Sequence, residues 1–339
     1  MRLLNPQTQA DAIEQAAQRL ADGGLLALPT ETVYGLGARA DDDEAVARIF
    51  AAKGRPSNHP LIVHVPNAHA ALCFAQSIPP AAQRLMDAFW PGPLTVIVPR
   101  HPDCAAAAAG GQHSIGLRCP DHPLALKLLD AAAKLGVLGV AAPSANRFGR
   151  VSPTRADHVV SEFEGQGSGL DEVWVLDGGD CDVGIESTSV DCARGYPVLL
   201  RPGQISSTQL ADVFGVTPAS PDAAAPRASG TLDAHYAPQT PVVQVALAEL
   251  DNVAAQLQAK GKTIALLSYQ PHPEVVALAV RQLPADAAGY AHDLYAGLRE
   301  LDHAHADLIL VEAIPQDKEW LGVNDRLRRA AFDSRDVLQ

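Results

Sequence analysis

Apolar residues in the first two hundred positions alternate between helical and strand-like spacing. Ile13, Ala16 and Leu20 recur one helical turn apart, which predicts an amphipathic helix over 8–20 that ends at Gly23-Gly24. Asp42 is a suitable N-cap for a second helix, and residues 123–135 predict a third. Short apolar runs predict strands at 25–28, 61–65, 94–98, 114–118, 139–142, 173–176, 187–191 and 198–201. Many strands with few helices between them indicate a large, curved, mixed sheet with helices packed on it.

The pattern fails between Gly215 and Pro238, where proline and alanine accumulate. This stretch is too long for an ordinary connection. We therefore predict a first domain at 1–210, a linker at 211–238 and a second domain at 239–339. In the second domain strands at 242–245, 263–267 and 308–311 alternate with helices at 250–259, 285–303 and 324–331. That alternation predicts a smaller α/β domain.

Composition excludes several classes of protein. Of 339 residues, 47% are hydrophobic and 19% are charged, which excludes a disordered chain. No apolar run approaches the ~20 residues that cross a bilayer, and no apolar leader is visible at the N-terminus. The five cysteines are scattered, which fits a reducing compartment, so we expect a cytoplasmic protein without membrane contact.

The charge balance argues against bulk attraction to nucleic acid. The net charge is −13, and acidic residues outnumber basic ones by 22 to 16 over residues 1–210. Against that background, Lys53 and Arg55 are two cations two positions apart on a Gly/Pro-containing loop. They have the chemistry for phosphate recognition, and the alternative is that they only complement a helix dipole. In either case they are expected near a solvated helix end.

Other polar groups follow predicted strands, where α/β proteins place ligand-binding residues. Ser144 and Asn146 end a buried strand, and Arg118 and Arg201 each close an apolar one. A hydroxyl-rich turn with a carboxylate occupies residues 30–34. Each of these features is also compatible with an ordinary capped turn or a solvated arginine.

Together these clusters resemble the YrdC-like family of threonylcarbamoyl-AMP synthases. The resemblance rests on motifs that occur in this order: Pro29-Thr30-Glu31-Thr32-Val33-Tyr34-Gly35-Leu36, Lys53-x-Arg55-Pro56, Pro60-Leu61-Ile62-Val63-His64, Trp90-Pro91-Gly92-Pro93-Leu94-Thr95, Arg118-x-Pro120, Ala142-Pro143-Ser144-Ala145-Asn146, Glu186-Ser187-Thr188 and Leu200-Arg201-Pro202-Gly203. Further motifs resemble the longer, two-domain branch of the family: His235-Tyr236-Ala237-Pro238, Leu294-Tyr295, Leu298-Arg299-x-Leu301-Asp302 and Asn324-Asp325-Arg326.

The resemblance implies a fold and a reaction. The fold is a twisted mixed sheet with flanking helices around a concave cavity, followed by a smaller Rossmann-like α/β domain. The reaction is that of a nucleotidyltransferase: L-threonine, bicarbonate (or CO2) and ATP give L-threonylcarbamoyladenylate, pyrophosphate and water. Mg2+ accompanies ATP through its phosphates, and no direct protein ligand to a metal is expected. A separate tRNA threonylcarbamoyl transferase complex then uses the product to modify adenosine 37 of tRNAs that read ANN codons.

The resemblance also assigns site residues. Lys53 and Arg55 are the candidate catalytic cations. The positions implied for ATP are Lys53, Arg55, Ser57, Ser114, Ser144, Asn146, Ser152, Arg201 and Tyr236. The positions implied for L-threonine are Thr30, His64, Arg118 and Ser187. Arg118 suits an amino-acid carboxylate because its guanidinium can bind both oxygens.

The linker departs from the family pattern. Where the family carries a Gly-Met-Lys/Arg-like run before His-Tyr, this chain reads Ser229-Gly230-Thr231-Leu232-Asp233-Ala234, which puts a basic contact in doubt. We expect residues 215–238 to be accessible to protease without ligands, and Tyr236 to close over bound nucleotide. Two other functions remain open: an RNA-binding module with this fold and no adenylate synthesis, and a carbamoyl-transfer domain like that of hydrogenase-maturation proteins, whose upstream segments are not seen here.

Overall fold

Short apolar runs in the first two hundred residues become the strands of one mixed sheet. The computed structural model describes residues 1–165 and 172–334. The strands are β1 Arg2–Leu4, β2 Leu26–Leu28, β3 Gly35–Arg39, β4 Ile62–His64, β5 Leu94–Pro99, β6 Ser114–Arg118, β7 Val140–Ala141, β8 Trp174–Leu176, β9 Thr188–Asp191 and β10 Val198–Arg201. Their order in the sheet is β1-β8-β2-β3-β7-β4-β6-β5-β9-β10, with parallel and antiparallel pairs. This confirms the predicted large mixed sheet.

Helices cover the two faces of this sheet. They are α1 Ala12–Ala21, α2 Asp43–Lys53, α3 Pro80–Phe89, α4 Pro123–Lys134, α5 Ala156–Phe163 and α6 Ser207–Phe214. Side chains alternate along β2: Leu26 and Leu28 join one apolar cluster with α1 and α4, whereas Ala27 joins a second cluster with α2 and α3. The predicted cap of α2 is confirmed, because the Asp42 carboxylate accepts from the backbone N–H groups of Glu44 and Ala45.

The described chain divides into two units close to the predicted linker. One unit holds residues 1–148, 153–182 and 186–231, and the other holds 149–152, 183–185 and the chain from 232 onward. Helix α6 runs through position 210, so the first unit extends further than the predicted boundary at that residue.

The first half of the predicted linker is attached to the first unit. Ala219 pairs with the backbone of β10, and Arg194 lies 2.7 Å from the Asp222 carboxylate. Ala225 and Ala228 pack on an apolar patch of the sheet. Backbone pairing and packing thus hold parts of this half, although most of its residues are exposed and it lacks sequence periodicity. Its sensitivity to protease without ligands stays a prediction.

The second unit is built on a four-stranded parallel sheet. Its elements are β11 Val242–Val245, α7 Leu247–Ala259, β12 Ile264–Ser268, β13 Ala279–Gln282, α8 Ala287–Asp302, β14 Leu308–Glu312 and α9 Leu321–Ala330. The strand order is β11-β14-β12-β13, and each neighbouring pair is parallel. The predicted smaller α/β domain is confirmed, with β13 as a strand that the pattern did not predict.

The second half of the predicted linker, around Tyr236, is held inside this second unit. Tyr236 is 1% exposed, adopts a left-handed backbone conformation with φ of 61°, and lies 5.7 Å from the ring of Tyr295. The Arg326 guanidinium lies over its ring at 5.4 Å, and the Arg329 carbonyl accepts from the His235 N–H. Tyr236 is thus a buried ring in this unit, and its predicted closure over bound nucleotide stays a prediction. Several motif residues of the second domain serve to hold this segment.

Candidate active site

Three chain segments of the first unit bring the predicted site residues together. The turn at 29–34 leads into β3, and the backbone of β3 pairs with the segment after β7: the Leu36 N–H donates to the Pro143 carbonyl and the Ala145 N–H to the Tyr34 carbonyl. In the parallel pair β4–β6, His64 is the direct partner of Arg118. The strand ends that we singled out therefore lie side by side.

Arg118 is buried beside the turn that carries the Thr and Glu residues. Its Nη2 lies 2.7 Å from Glu31 Oε1, and its Nη1 donates to Thr32 Oγ1 at 2.8 Å. The alternative of a solvated strand-end arginine is excluded, because Arg118 is 3% exposed. A guanidinium in this position offers fixed donors to an anionic group.

Thr30 organises the turn in which Glu31 lies. Its hydroxyl donates to the Val33 carbonyl at 2.6 Å and accepts from the N–H groups of Thr32 and Val33. These hydrogen bonds between the Thr30 hydroxyl and the backbone stabilise the turn. Thr30 is 2% exposed, so its first role in this structure is to hold the turn.

His64 is a neutral side chain in the middle of the sheet. Burial, and next the charge of Arg118, lower the pKa of His64 to about 3. Its Nδ1 has no side-chain or backbone hydrogen bond within the described residues. At neutral pH His64 can therefore position a ligand as an uncharged donor or acceptor, but it does not supply positive charge.

Lys53 is the last residue of α2 and points inward. It is 3% exposed, and its Nζ donates to the backbone carbonyls of Ser144, at 2.6 Å, and Asn146. Burial, and next the charge of Arg55, lower the pKa of Lys53 well below its usual value. An anionic ligand next to Lys53 would stabilise its charged form and so raise its pKa.

Arg55 is buried as well, with 7% of its surface exposed. Its Nη2 donates to the Pro60 carbonyl at 2.9 Å and lies 3.4 Å from Ser229 Oγ. The expectation that Lys53 and Arg55 lie near a solvated helix end is therefore wrong. The left-handed Gly54 between them ends α2 and turns the chain inward, where both cations contact backbone carbonyls instead of water.

Arg201 and Ser187 form a second buried polar group on neighbouring strands. The Arg201 Nη2 donates to the Ser187 carbonyl at 2.9 Å and to its Oγ at 3.1 Å, and Nη1 donates to the Ser229 carbonyl at 2.9 Å. Ser187 Oγ also lies 2.8 Å from Thr95 Oγ1. Ser229 thus contacts both Arg55 and Arg201, which links these two arginines through one residue of the predicted linker.

A small cavity of about 20 Å³ lies beside residues that contact these arginines. Pro60, Thr95, Ser114 and Ser229 are among the residues that line it. The predicted Ser114 therefore lines a small cavity next to groups that contact Arg55 and Ser187. Thr95 and Ser229 line this cavity, and Glu31 contacts Arg118. The sequence did not identify these three as site residues, although Thr95 and Glu31 lie inside motifs that it singled out.

The other predicted positions have different surroundings. Ser57 is exposed and Ser144 is half-buried, with its carbonyl turned to Lys53. Ser152 is buried and belongs, like Tyr236, to the second unit, where Arg299 Nε lies 3.4 Å from its carbonyl.

Among residues 1–165 and 172–334 no group of three or more His, Cys, Asp and Glu could hold a metal, and no helix could span a membrane.

Comparison with known proteins identifies the family. A family model named Sua5_yciO_yrdC, described as "Telomere recombination", matches residues 18–203, and the model for the threonylcarbamoyl-AMP synthase C-terminal domain matches 205–332. The threonylcarbamoyl-AMP synthase of Bacillus subtilis is 36% identical over 96% of this chain and 94% of its own length. That of Pyrococcus abyssi is 36% identical over 94% of each chain.

Solved structures agree over the whole chain. Pyrococcus abyssi Sua5 complexed with L-threonine has a TM-score of 0.88 at 34% identity, over 97% of each chain. A variant of the same protein with an adjacent His and Tyr replaced by Ala gives a TM-score of 0.88 at 33% identity, over 98% of this chain and 96% of that one. The chain therefore belongs to the Sua5/YrdC family of threonylcarbamoyl-AMP synthases. Within that family it is of the two-domain type.

Replacing Lys53 should impair both folding and activity. In Lys53→Met the carbonyls of Ser144 and Asn146 lose their donor, so we expect the free energy of unfolding to fall by about 1–3 kcal/mol. Pyrophosphate release should fall at least ~10-fold if a charged contact to phosphate is lost. Urea unfolding and a pyrophosphate assay measure the two effects. The exposed Lys127→Met is the matched control, and a fully stable, fully active Lys53→Met protein would contradict this placement.

Replacing His64 should change how stability depends on pH. Because its pKa in the folded protein is about 3 and the ordinary value is 6.5, the unfolded chain binds the additional proton between these values. The associated stability is present above pH 6.5 and is lost as the pH falls toward 3. Between pH 7 and pH 5 this costs about 2 kcal/mol.

His64→Gln should remove that loss, so its unfolding free energies at pH 7 and pH 5 should differ by less than those of the unmodified chain. The exposed His69→Gln is the control and should keep the full difference. Equal pH dependence in all three proteins would show that His64 is not held in its neutral form.

Proposed function

We infer that this chain synthesises L-threonylcarbamoyladenylate from L-threonine, bicarbonate or CO2 and ATP, with release of pyrophosphate. Membership of the two-domain threonylcarbamoyl-AMP synthase family carries this conclusion. Bacterial, archaeal and yeast relatives share the name, and a solved structure of a relative complexed with L-threonine matches this chain with a TM-score of 0.88. This evidence favours adenylate synthesis over a module that only binds RNA.

The geometry supports a division of the site between two ligands. Lys53 and Arg55 are assigned to the ATP phosphates, because they are buried cations whose present partners are mostly backbone carbonyls that a phosphate can replace. Ser144, Asn146 and Arg201 extend this nucleotide region, together with Ser114, Ser57 and Ser152. Arg118 is assigned to the threonine carboxylate, with Thr30, His64 and Ser187 around it.

Catalysis in this site consists of positioning and charge stabilisation. The threonine amino group first forms a carbamate with CO2, or with bicarbonate and loss of water. An oxygen of this carbamate then attacks the α-phosphorus of ATP, and pyrophosphate leaves. The buried cations are fixed before the reaction, so they stabilise the charge that develops on the phosphates without reorganising. No residue has to form a covalent intermediate in this route.

Mg2+ enters this proposal with ATP. The side chains assigned to the nucleotide are mainly cations and hydroxyls, which suit metal-bound phosphates better than a bare divalent ion. The metal supplies charge neutralisation to the phosphates when bound, whereas Lys53 and Arg55 orient them.

Tyr236 is proposed to contact ATP. The variant of Pyrococcus abyssi Sua5 replaces an adjacent His and Tyr, and His235-Tyr236 is the one such pair in this sequence. We propose that the product is passed to a separate transferase that modifies tRNA, and that the reaction takes place in the cytoplasm. No stable nucleic-acid binding by this acidic chain is required.

The products of ATP test the proposed reaction. Purified protein with ATP, Mg2+, bicarbonate and L-threonine should release pyrophosphate and form a threonine-containing adenylate, detected by mass spectrometry. Omission of threonine should abolish both products, because the carbamate is the nucleophile. Formation of ADP and phosphate as main products, independent of threonine, would refute the proposed function.

A further inference from the structure

A buried carboxylate in the candidate site has no role in the reaction as described above. Glu31 lies between Thr30 and Thr32 in the turn before β3 and is 5% exposed. Its Oε1 lies 2.7 Å from Arg118 Nη2. Neither carboxylate oxygen makes a hydrogen bond among the described residues, and the same holds for Arg118 Nη2.

This arrangement leaves hydrogen-bonding capacity unused in the interior. A buried carboxylate without hydrogen bonds is costly, and an ion pair repays the cost only when the remaining lone pairs are satisfied. A purely structural partner for Arg118 would be expected to contact the guanidinium through both oxygens. Here one oxygen is close and neither is hydrogen-bonded, so the pair can still accept and donate hydrogen bonds toward a ligand.

The charges of the pair match those of a free α-amino acid. Such a ligand carries a carboxylate and an ammonium group on one carbon atom, and Arg118 and Glu31 are opposite charges in contact with each other. We propose that Glu31 binds the ammonium group of L-threonine while Arg118 binds its carboxylate. The inference rests on the proposed function, because it assumes that this part of the site takes L-threonine.

The turn is built to hold Glu31 in that position. Thr30 closes it through its hydroxyl, and Thr32 Oγ1 accepts from Arg118 Nη1 at 2.8 Å. Both flanking side chains are therefore committed to the turn or to Arg118, and the Glu31 carboxylate is the charged group between them. Glu31 is thus a substrate-binding residue that the motif Pro29–Leu36 supplies together with Thr30.

A comparison of two ligands on two proteins isolates this contact. Titration calorimetry without ATP measures the affinity of L-threonine and of 3-hydroxybutanoate, which keeps the carboxylate and hydroxyl but lacks the ammonium group. The unmodified chain should prefer L-threonine. In Glu31→Gln this preference should shrink about 10- to 100-fold, because a charge-assisted hydrogen bond is lost for one ligand only. Affinity for 3-hydroxybutanoate should change little.

Two further variants separate binding from stability. Asp191→Asn removes the charge of another buried carboxylate paired with an arginine, Arg194 at 2.9 Å, and should lower stability while the ligand preference stays as in the unmodified chain. Glu31→Asp keeps the charge and should retain part of the preference, and it replaces Glu31→Gln in the test if that protein does not fold.

The outcomes distinguish this proposal from the proposed function. An equal loss of affinity for both ligands in Glu31→Gln, or no loss for either, would overturn the role of Glu31. A chain that binds L-threonine with the expected dependence on Glu31 but forms no adenylate would refute the proposed function and leave the binding role intact.

Discussion

The burial of positive charge at one edge of the large sheet is the constraint on which the site depends. Lys53, Arg55, Arg118 and Arg201 are each at most 7% exposed. Removal of such groups from water is costly unless their donors are satisfied. The fold meets this requirement largely with backbone carbonyls, those of Ser144 and Asn146 for Lys53 and that of Ser187 for Arg201. Backbone acceptors neutralise no charge, so the site keeps its attraction for anions.

This constraint explains features that bulk composition conceals. The chain carries a net charge of −13, yet cations converge where strands β4, β6, β9 and β10 end or begin. Glu31 is the exception among the contacts, because it pairs one of these cations with a full negative charge. Low exposure strengthens the interaction of each cation with a bound phosphate or carboxylate, since there is little water to screen it.

The sequence predicted most of the helices and strands of the two sheets, but fewer of the side-chain contacts in the site. Apolar runs and caps were sufficient for β5, β6, α2 and α4, whose periodicity is local. Strand β3 was missed because Gly35 and Gly37 make it look like a turn, although pairing with β2 and β7 holds it as a strand. Helix α3 was not predicted, because its start at Pro80 lies in a pair of adjacent prolines that is also typical of a loop. Proline is acceptable at the first position of a helix, so the helix forms there.

The site shows the same limit. Motifs identified Lys53, Arg55, Arg118 and Arg201 as site residues. Because each lies at or near the end of a helix or strand, the sequence was compatible with exposed side chains, whereas tertiary packing buries them. The pattern around Tyr236 indicated a loose linker because its order comes from distant partners such as Tyr295 and Arg326, which no local periodicity records. Ser229 and Thr95 were not identified as site residues, although Thr95 ends a quoted motif, because their contacts join segments far apart in sequence.

A crystal structure with a non-hydrolysable ATP analogue and L-threonine tests the central claim most directly. The account predicts that phosphate oxygens replace carbonyls as partners of Lys53 and Arg55, and that the threonine carboxylate lies on Arg118. A complex in which both ligands bind while Lys53 keeps Ser144 and Asn146 as its partners, and Arg118 contacts neither ligand, would contradict it.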